Sequence, residues 1–192
     1  FWRPFGRYIA QMDARTRTFM TRRHRGTIPD QPTKKGKRTM AATVGSPAPP
    51  FTLLAPDKTE VSLEDLKGRN TLIVFIPFAF SGICTGELCA IRDSLSALND
   101  LDTQVVAITC QTFFTNGAWS EKEGFTFPVL ADYWPHGEVS KAYGVFNDSV
   151  GVANRYTFVL DAEGVVREVI NTDSLGEGRE FSAYTEALAK LS

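Results

Sequence analysis

Cysteine supplies the candidate chemistry of this sequence, because one of its three cysteines stands where a thiol can react. Cys84 follows the apolar run 71–77 after a short turn that contains Ser81 and Gly82. Pro77 ends the run, and Cys84 is predicted to lie in or just before the first turn of a helix. Unpaired N–H groups and the positive end of the helix dipole stabilise an anion at such a position. The thiolate, which is the nucleophilic form of cysteine, is therefore favoured there.

The alternative for Cys84 is a small buried side chain without a chemical role, the usual fate of a single cysteine. Position alone leaves both interpretations open. Cys89 lies five residues further along the same predicted helix. Cys110 ends the next apolar run and fits either a buried structural thiol or a distant partner of Cys84.

Other residue patterns that could carry catalysis are missing from the sequence. Two histidines and three scattered cysteines give no spacing suited to a metal. His24 belongs to the basic N-terminal segment, and His136 is predicted to begin a helix rather than to act as a base. The sequence contains neither a Gly-rich phosphate loop nor a Gly-x-Ser-x-Gly motif. We expect no metal and no organic cofactor.

The composition is that of a globular protein, with 43% hydrophobic and 22% charged residues. No apolar run has the length of a membrane span, and none resembles the core of a signal peptide. The cysteines are too few, and odd in number, for a secreted scaffold held by disulfides. We therefore expect a cytoplasmic protein that does not bind a membrane.

Charge divides the chain near Met40. Residues 1–39 carry eleven basic and two acidic residues, whereas residues 40–192 carry ten basic and twenty acidic ones. We interpret 1–39 as a basic, disordered extension and 40–192 as the folded domain. Our preferred explanation is an over-extended reading frame with Met40 as the true start. A transit peptide or a nucleic-acid-binding arm is the alternative, so nucleic acid is expected only of this segment.

Within 40–192 the pattern alternates between strand and helix. Continuous apolar, β-branched runs are typical of strands buried on both faces, and Gly164 fits a hairpin turn. After Cys84 a buried helical stripe is indicated at Leu88, Ile91, Leu95 and Leu98. Strands are predicted at 71–77, 104–109, 156–160 and 165–170, and further helices at 115–123, 137–143 and 179–191. This order predicts an α/β fold, a mixed β-sheet flanked by helices on both faces.

The residues around Cys84 form a pattern known from one family. Pro77, Ser81 and Cys84 match the Pro-x-x-x-(Thr/Ser)-x-x-Cys active-site motif of the peroxiredoxins. Resemblance to their one-cysteine alkyl hydroperoxide reductase E subgroup extends over residues 44–191. It is carried by Phe78-Ala-Phe80, Gly82-Ile-Cys84, Gly86-Glu-Leu88, Gly124-Phe-Thr-Phe-Pro128, Asp132-Tyr-Trp-Pro-His-Gly137, Ala142-Tyr-Gly-Val-Phe-Asn147 and Ala153-Asn-Arg155.

The resemblance implies a thioredoxin-like fold and a thiol-dependent peroxidase. Cys84 would attack the peroxide and become a sulfenic acid. Ser81, where the family more often has Thr, would hydrogen-bond the peroxide, and Pro77 would shield the sulfur. Arg155 would place a positive charge beside it. Glu87 would accept a hydrogen bond from Arg155 or orient the site, although its charge opposes a nearby thiolate.

Cys89 departs from the one-cysteine subgroup. The spacing Cys84-x-x-x-x-Cys89 resembles that of the bacterioferritin-comigratory (Q-type) peroxiredoxins, in which the second cysteine resolves the sulfenic acid. On an ideal helix the two Cα atoms lie about 8.7 Å apart, whereas a disulfide needs roughly 7 Å or less. The first helical turn must therefore unwind, which Gly86 makes easier. The alternative is a half-buried helical cysteine without a redox role.

The family also implies partners. The substrates would be hydrogen peroxide, organic hydroperoxides or peroxynitrite, and the reductant a small thiol or a thioredoxin- or glutaredoxin-like protein. A homodimer is expected, through loops that carry exposed aromatics such as Phe80 and Trp119. Two other functions are alternatives to a peroxidase. A disulfide oxidoreductase lacks its Cys-x-x-Cys pair, since Ser81 occupies the first position, and a binding or chaperone module would carry Cys84 without using it.

Overall fold

The computed structural model describes residues 42–172 and 174–191. Its nine strands are β1 (Thr52–Leu54), β2 (Glu60–Ser62), β3 (Asn70–Phe75), β4 (Thr103–Thr109), β5 (Val129–Ala131), β6 (Phe146–Asn147), β7 (Val152–Ala153), β8 (Tyr156–Leu160) and β9 (Val166–Asn171). Seven of them form one sheet in the order β2-β1-β5-β4-β3-β8-β9, and β6 pairs with β7 in a small second sheet.

The central strands β3, β4 and β5 are parallel to one another, and the outer strands are antiparallel to their neighbours. The sheet is therefore mixed, as predicted. Because parallel strands run in one direction, the carboxyl ends of β3, β4 and β5 lie along the same edge, which is where sites collect in α/β proteins. The segments that contain Cys84, Cys110 and Asp132 begin at this edge.

The helices are α1 (Gly82–Asp93), α2 (Leu95–Asp100), α3 (Phe113–Glu123), α4 (Glu138–Ala142) and α5 (Phe181–Leu188), with a short 3-10 helix at Glu64–Leu66. Alternate residues of β3 enter two separate hydrophobic clusters. One cluster contains residues of α4, and the other contains residues of α1, α2, α3 and α5. Burial on both faces explains why β3 reads as a continuous apolar run.

Most of the predicted elements are present, with shifted ends. The four predicted strands correspond to β3, β4, β8 and β9, and the hairpin turn has Gly164 at φ 80°, as expected for a left-handed turn residue. The predicted stripe from Leu88 to Leu98 is buried at Leu88, Ile91 and Leu98, but Ser94 divides it between two helices. The last helix is shorter than predicted. Strands β1, β2, β5, β6 and β7 were missed because two or three residues give no periodic signal.

The predicted basic extension 1–39 lies outside the described residues, so its assignment stays a prediction. In the part of the chain that is described, no helix is long and apolar enough to cross a membrane. No group of three or more His, Cys, Asp or Glu side chains within 42–172 and 174–191 is arranged to hold a metal ion.

Candidate active site

Cys84 lies in the first turn of α1, directly beyond the carboxyl end of β3. The helix begins at Gly82, and Ser81 caps it: the Ser81 Oγ accepts a hydrogen bond from the Cys84 backbone N–H at 3.4 Å. Cys84 is 0% exposed and packs in the hydrophobic cluster that contains Leu88 and Ile91. The structure thus places this thiol at a capped helix start, as the sequence predicted, and encloses it in apolar side chains.

The loop that leads into α1 is tightly bent. Pro77 is buried and follows Ile76, whose N–H still donates to Ile108 of the neighbouring strand. Phe80 adopts φ 65°, a left-handed conformation that costs a side-chain-bearing residue on the order of 1 kcal/mol or more. Its ring packs against Trp119, with centroids 6.2 Å apart. This strained turn connects the carboxyl end of β3 to the start of α1.

Glu87, one turn after Cys84, is held between two arginines. Its Oε2 accepts from Nη1 of Arg155. Its Oε1 accepts from the backbone N–H of Arg179 at 2.9 Å and from the Arg179 Nε at 2.8 Å. Glu87 and Arg179 are each 7% exposed and Arg155 is 2% exposed. The predicted contact between Glu87 and Arg155 is confirmed.

One carboxylate among two guanidinium groups leaves this buried cluster with a net positive charge. Residues three apart on a helix are neighbours, so the cluster lies on the side of α1 that Cys84 shares. Ion pairs therefore neutralise the negative charge of Glu87, so this carboxylate opposes a nearby thiolate less than an unpaired one would. Removing one member of such a buried group costs about 3–5 kcal/mol, because an unpaired charge remains.

Arg179 is the site residue that sequence reasoning missed. It is 92 residues from Glu87 along the chain, in the loop between β9 and α5. Its Nη1 donates to the Thr157 Oγ1 at 3.0 Å, and the same hydroxyl lies 3.3 Å from the Tyr184 hydroxyl. Burial raises the pKa of Tyr184 above its usual value. The only signal in the sequence was Thr157, a hydroxyl inside a buried strand that had to have a partner.

Trp119 holds the first turn of α1 from the other side. Its indole Nε1 donates to the Thr85 Oγ1 at 3.2 Å, and its ring is 0% exposed. The expectation that Trp119 is an exposed aromatic is wrong, because α3 turns it into the core between Phe80 and Phe125. Phe80 itself is 46% exposed.

Cys89 is partly buried against the same hydrophobic cluster as Cys84, and both thiols are free. The helix between them is unbroken. The ideal separation of about 8.7 Å between their Cα atoms therefore applies, and the pair is not joined in this conformation. Arg92, one turn beyond Cys89, pairs with Asp93 and donates to the carbonyl oxygen of Glu123.

Cys110 lies just beyond β4 and is 3% exposed. Its Sγ is 3.7 Å from the Ser140 Oγ, which donates to the buried carboxylate of Asp132 at 2.7 Å. Burial raises the pKa of the Cys110 thiol, and the charge of Asp132 raises it further. These surroundings support the interpretation of Cys110 as a structural thiol.

His136 comes just before α4, as predicted, and its Nε2 lies 2.8 Å from the carbonyl oxygen of Gly151. It lines a cavity of about 840 Å³ together with Phe51, Trp134 and Val139. The predicted catalytic residues are not in the wall of this cavity. Among the described residues, the structure therefore brings Arg155 and Arg179 to Glu87 on the Cys84 helix and leaves His136 apart.

A cysteine at a capped helix start, beside a buried cluster with net positive charge, is an arrangement that stabilises an attacking thiolate. The model of the AhpC/TSA family matches residues 44–169 of the chain. The chain belongs to the AhpC/TSA family. Like its relatives, the peroxiredoxins, it is a thiol-dependent peroxidase that reduces peroxides. The resemblance inferred from the motif is thereby confirmed, and neither alternative function is favoured.

Relatives and solved structures agree with this assignment. Alkyl hydroperoxide reductase E of Mycobacterium tuberculosis H37Rv is 46% identical over 149 residues, which cover 77% of this chain and 97% of that protein. Bovine (Bos taurus) peroxiredoxin-2 is 34% identical over 142 residues, covering 69% of this chain and 70% of the relative. Enterococcus faecalis AhpC superposes with a TM-score of 0.72 at 26% identity, covering 78% of this chain and 92% of the other. Peroxidoxin BcpB of Mycobacterium tuberculosis has a TM-score of 0.68 at 26% identity, covering 78% and 96%. The thioredoxin-like fold of the prediction is confirmed.

Proposed function

We propose that Cys84 is the residue of this peroxidase that attacks the peroxide. The observation that carries the proposal is the position of Cys84 in the first turn of α1, one turn from a buried carboxylate that binds two arginines. Cys110, by contrast, lies beside a buried acid. Cys89 lies deeper in the helix, away from the dipole end that stabilises a thiolate.

In the proposed step the Cys84 thiolate attacks the terminal oxygen of the peroxide. An S–O bond forms while the O–O bond breaks. The leaving oxygen takes a proton and departs as water or an alcohol, or it departs in nitrite when the substrate is peroxynitrite. The sulfur is oxidised by two electrons to a sulfenic acid, and the peroxide is reduced by the same two. Negative charge builds up on the leaving oxygen, and buried positive groups stabilise it.

The neighbouring residues have distinct proposed roles. Arg155 provides positive charge to the reacting oxygens, and Glu87 and Arg179 hold Arg155 in place. The Ser81 Oγ accepts from the Cys84 N–H, which leaves its own hydrogen free to donate to the peroxide. Pro77 is buried beside the turn and keeps water from the sulfur.

The test of this proposal is a single-turnover reaction of reduced protein with one equivalent of hydrogen peroxide, followed by mass spectrometry. The wild type should consume the peroxide and carry the oxidation on Cys84. Cys84→Ser should lose the reaction, whereas Cys110→Ser, the matched control at another buried thiol, should keep it. Peroxide consumption by Cys84→Ser at the wild-type rate would falsify the assignment.

We also propose that Cys89 resolves the sulfenic acid of Cys84 by forming a disulfide. Support comes from the position of both free thiols on one helix, with the flexible Gly86 between them. The alternative cycle uses an external thiol directly on Cys84. Mass spectrometry distinguishes the two: a Cys84–Cys89 cross-linked peptide marks internal resolution, and a retained oxygen in the absence of reductant marks the one-cysteine cycle.

The substrates, the reductant, the compartment and the oligomeric state are also proposed. Hydrogen peroxide, organic hydroperoxides or peroxynitrite would be the substrates. A small thiol or a thioredoxin- or glutaredoxin-like protein would be the reductant, and the cytoplasm the compartment, in keeping with three free cysteines. We propose a homodimer that covers the apolar side chains exposed around the active-site loop, Phe78, Phe80 and Ile83. Analytical ultracentrifugation of wild type and Ile83→Glu tests it, since the charge should produce monomers.

A further inference from the structure

The Arg155–Glu87–Arg179 cluster contains more hydrogen-bond donors than its single carboxylate can occupy. Arg179 directs its backbone N–H and Nε at Glu87 and its Nη1 at Thr157. Its Nη2 is buried and, among the described residues, has no hydrogen-bond partner. Arg155 uses Nη1 for Glu87 and Nε for the carbonyl oxygen of Leu175. These donors form a site for an oxygen-rich anion that Glu87 fills only in part.

Glu87 occupies this site from a position that disulfide formation must disturb. The distance between the Cα atoms of Cys84 and Cys89 is set by the backbone dihedrals of residues 85–88, and Glu87 is one of these four. On an ideal helix Glu87 and Cys89 point about 160° apart. A rebuilt turn in which the dihedrals of Glu87 change carries the Glu87 side chain away from the arginines.

The opposite attachment of this turn is weaker. Thr85 is held by one neutral hydrogen bond from Trp119, whose loss leaves no buried charge, whereas Glu87 carries the counter-charge of two buried guanidinium groups. Departure of Glu87 leaves two buried positive charges without their counter-charge, a state that proteins do not tolerate unless another group neutralises it.

Solvent has a polar path to Arg155, one of these two arginines. A cavity of about 350 Å³ opens beside Arg155, and an anion of the size of sulfate or phosphate fits within that volume. Its wall is formed by Asn147, Asn154, Arg155, Tyr156, Asn171, Thr172, Ser174 and Leu175. Amide and hydroxyl groups of this kind donate hydrogen bonds to an anion on its way to the Arg155 guanidinium group.

We propose that the disulfide form of the enzyme binds an oxyanion between Arg155 and Arg179, in the place that the Glu87 carboxylate holds in the reduced form. The proposal rests on the proposed resolving role of Cys89. In that step the Cys89 sulfur attacks the Cys84 sulfenic sulfur. An S–S bond forms, the S–O bond breaks, and the hydroxyl leaves as water with the Cys89 proton. The two electrons were already accepted by the peroxide. The ligand class is a carboxylate, sulfate or phosphate, whether free in solution or part of a thiol reductant.

The experiment measures sulfate binding by titration calorimetry to the full chain, reduced and disulfide-bonded, with sodium chloride of equal ionic strength as the control. The disulfide is first verified as a Cys84–Cys89 cross-linked peptide. We expect the disulfide form to bind sulfate at least tenfold more tightly than the reduced form, and Arg179→Gln to remove the difference. Reduction by 3-mercaptopropionate should slow when sulfate is present, whereas reduction by uncharged 2-mercaptoethanol should not. Sulfate that binds but slows neither thiol would show that only free anions use the site.

A second arm needs no disulfide. Reduced Glu87→Gln/Cys89→Ser protein keeps the side-chain shapes but removes the carboxylate charge, and it should bind sulfate more tightly than reduced Cys89→Ser. A verified cross-link with no gain in sulfate affinity would overturn the anion site alone. Absence of the cross-link would overturn the role of Cys89, and with it the redox control, while peroxide consumption by Cys84 would stay intact.

Discussion

Cys84 and Cys110 lie at the same edge of the sheet but have different surroundings. Both follow adjacent parallel strands, β3 and β4, at the same edge of the sheet, and both are buried. The helix of Cys84 carries a carboxylate paired with two guanidinium groups, whereas Cys110 lies beside a serine bonded to a buried aspartate. The two thiols thus share a place at the sheet edge, and the sign of the buried charge near each one is the difference on which the proposed role of Cys84 rests.

Exchange of each sulfur for oxygen should give the largest effect. Cys84→Ser should lower the rate of peroxide reduction by about a thousandfold or more, because a serine hydroxyl is a far weaker nucleophile at neutral pH. Cys110→Ser should change the rate by less than about twofold, since its neighbours oppose a thiolate. Stopped-flow measurement of peroxide loss compares the two. Similar losses of rate in both variants would break the contrast between the sites.

Loss of one buried positive charge should have the second-largest effect on the rate of peroxide reduction. Arg179→Gln should slow peroxide reduction by roughly tenfold to a hundredfold. Removing a group in direct contact with developing charge costs about a hundredfold to a thousandfold, and Arg179 acts only through Glu87. Arg167→Gln is the matched control, because Arg167 pairs with Asp161 and is 49% exposed. Peroxide rates and circular dichroism spectra should be recorded together. Unchanged rate in a folded Arg179→Gln protein would contradict a role for the second arginine.

The rate of alkylation should distinguish Cys89 from Cys110. Cys110 is enclosed and burial raises its pKa, whereas Cys89 is partly exposed. Iodoacetamide at pH 8 should therefore modify Cys89 at least about tenfold faster than Cys110, because the thiolate is the reacting form. Peptide mass spectrometry over time gives both rates from one sample of Cys84→Ser. A faster Cys110 would show that its strand end opens readily.

The buried acid near Cys110 should give the smallest effect, visible as a pH dependence of stability. Burial raises the pKa of Asp132 above its ordinary 3.8, so the folded state binds this proton more tightly than the unfolded state. Its contribution to stability is greatest below about pH 4 and decreases as the pH rises through the raised value. Asn cannot ionise, so the stability of Asp132→Asn relative to wild type should improve between pH 4 and 7.

Urea unfolding of wild type and Asp132→Asn at several pH values measures this difference. The variant also replaces one of the two oxygens that accept from the Val139 and Ser140 N–H groups with an NH2 group, which cannot accept a hydrogen bond. It is therefore expected to be less stable by about 1–2 kcal/mol at low pH. A difference that stays constant with pH would mean that Asp132 titrates alike in the folded and unfolded protein.

The predictable parts of the fold are those with long, regular signals. Strands β3, β4 and β8 are recognisable in the sequence as continuous apolar runs because both faces of these strands are buried. The two-residue strands β6 and β7 and the three-residue strand β5 could not be seen, since their pairing depends on partners brought in by the chain's path. Trp119 was misjudged because a tryptophan on a short helix shows no direction until the helix has a neighbour.

By itself, the sequence determined the arrangement on which the proposed chemistry at the start of α1 rests: Pro77, Ser81 and Cys84 lie within eight residues, so local turn and helix geometry fix their positions. It also provided Arg155, through the family motif. Only the tertiary structure placed Arg179 against Glu87 and Asp132 near Cys110. The reason is that ion pairs between residues 92 positions apart depend on how the sheet and helices pack, and no local pattern specifies which charges will be buried together.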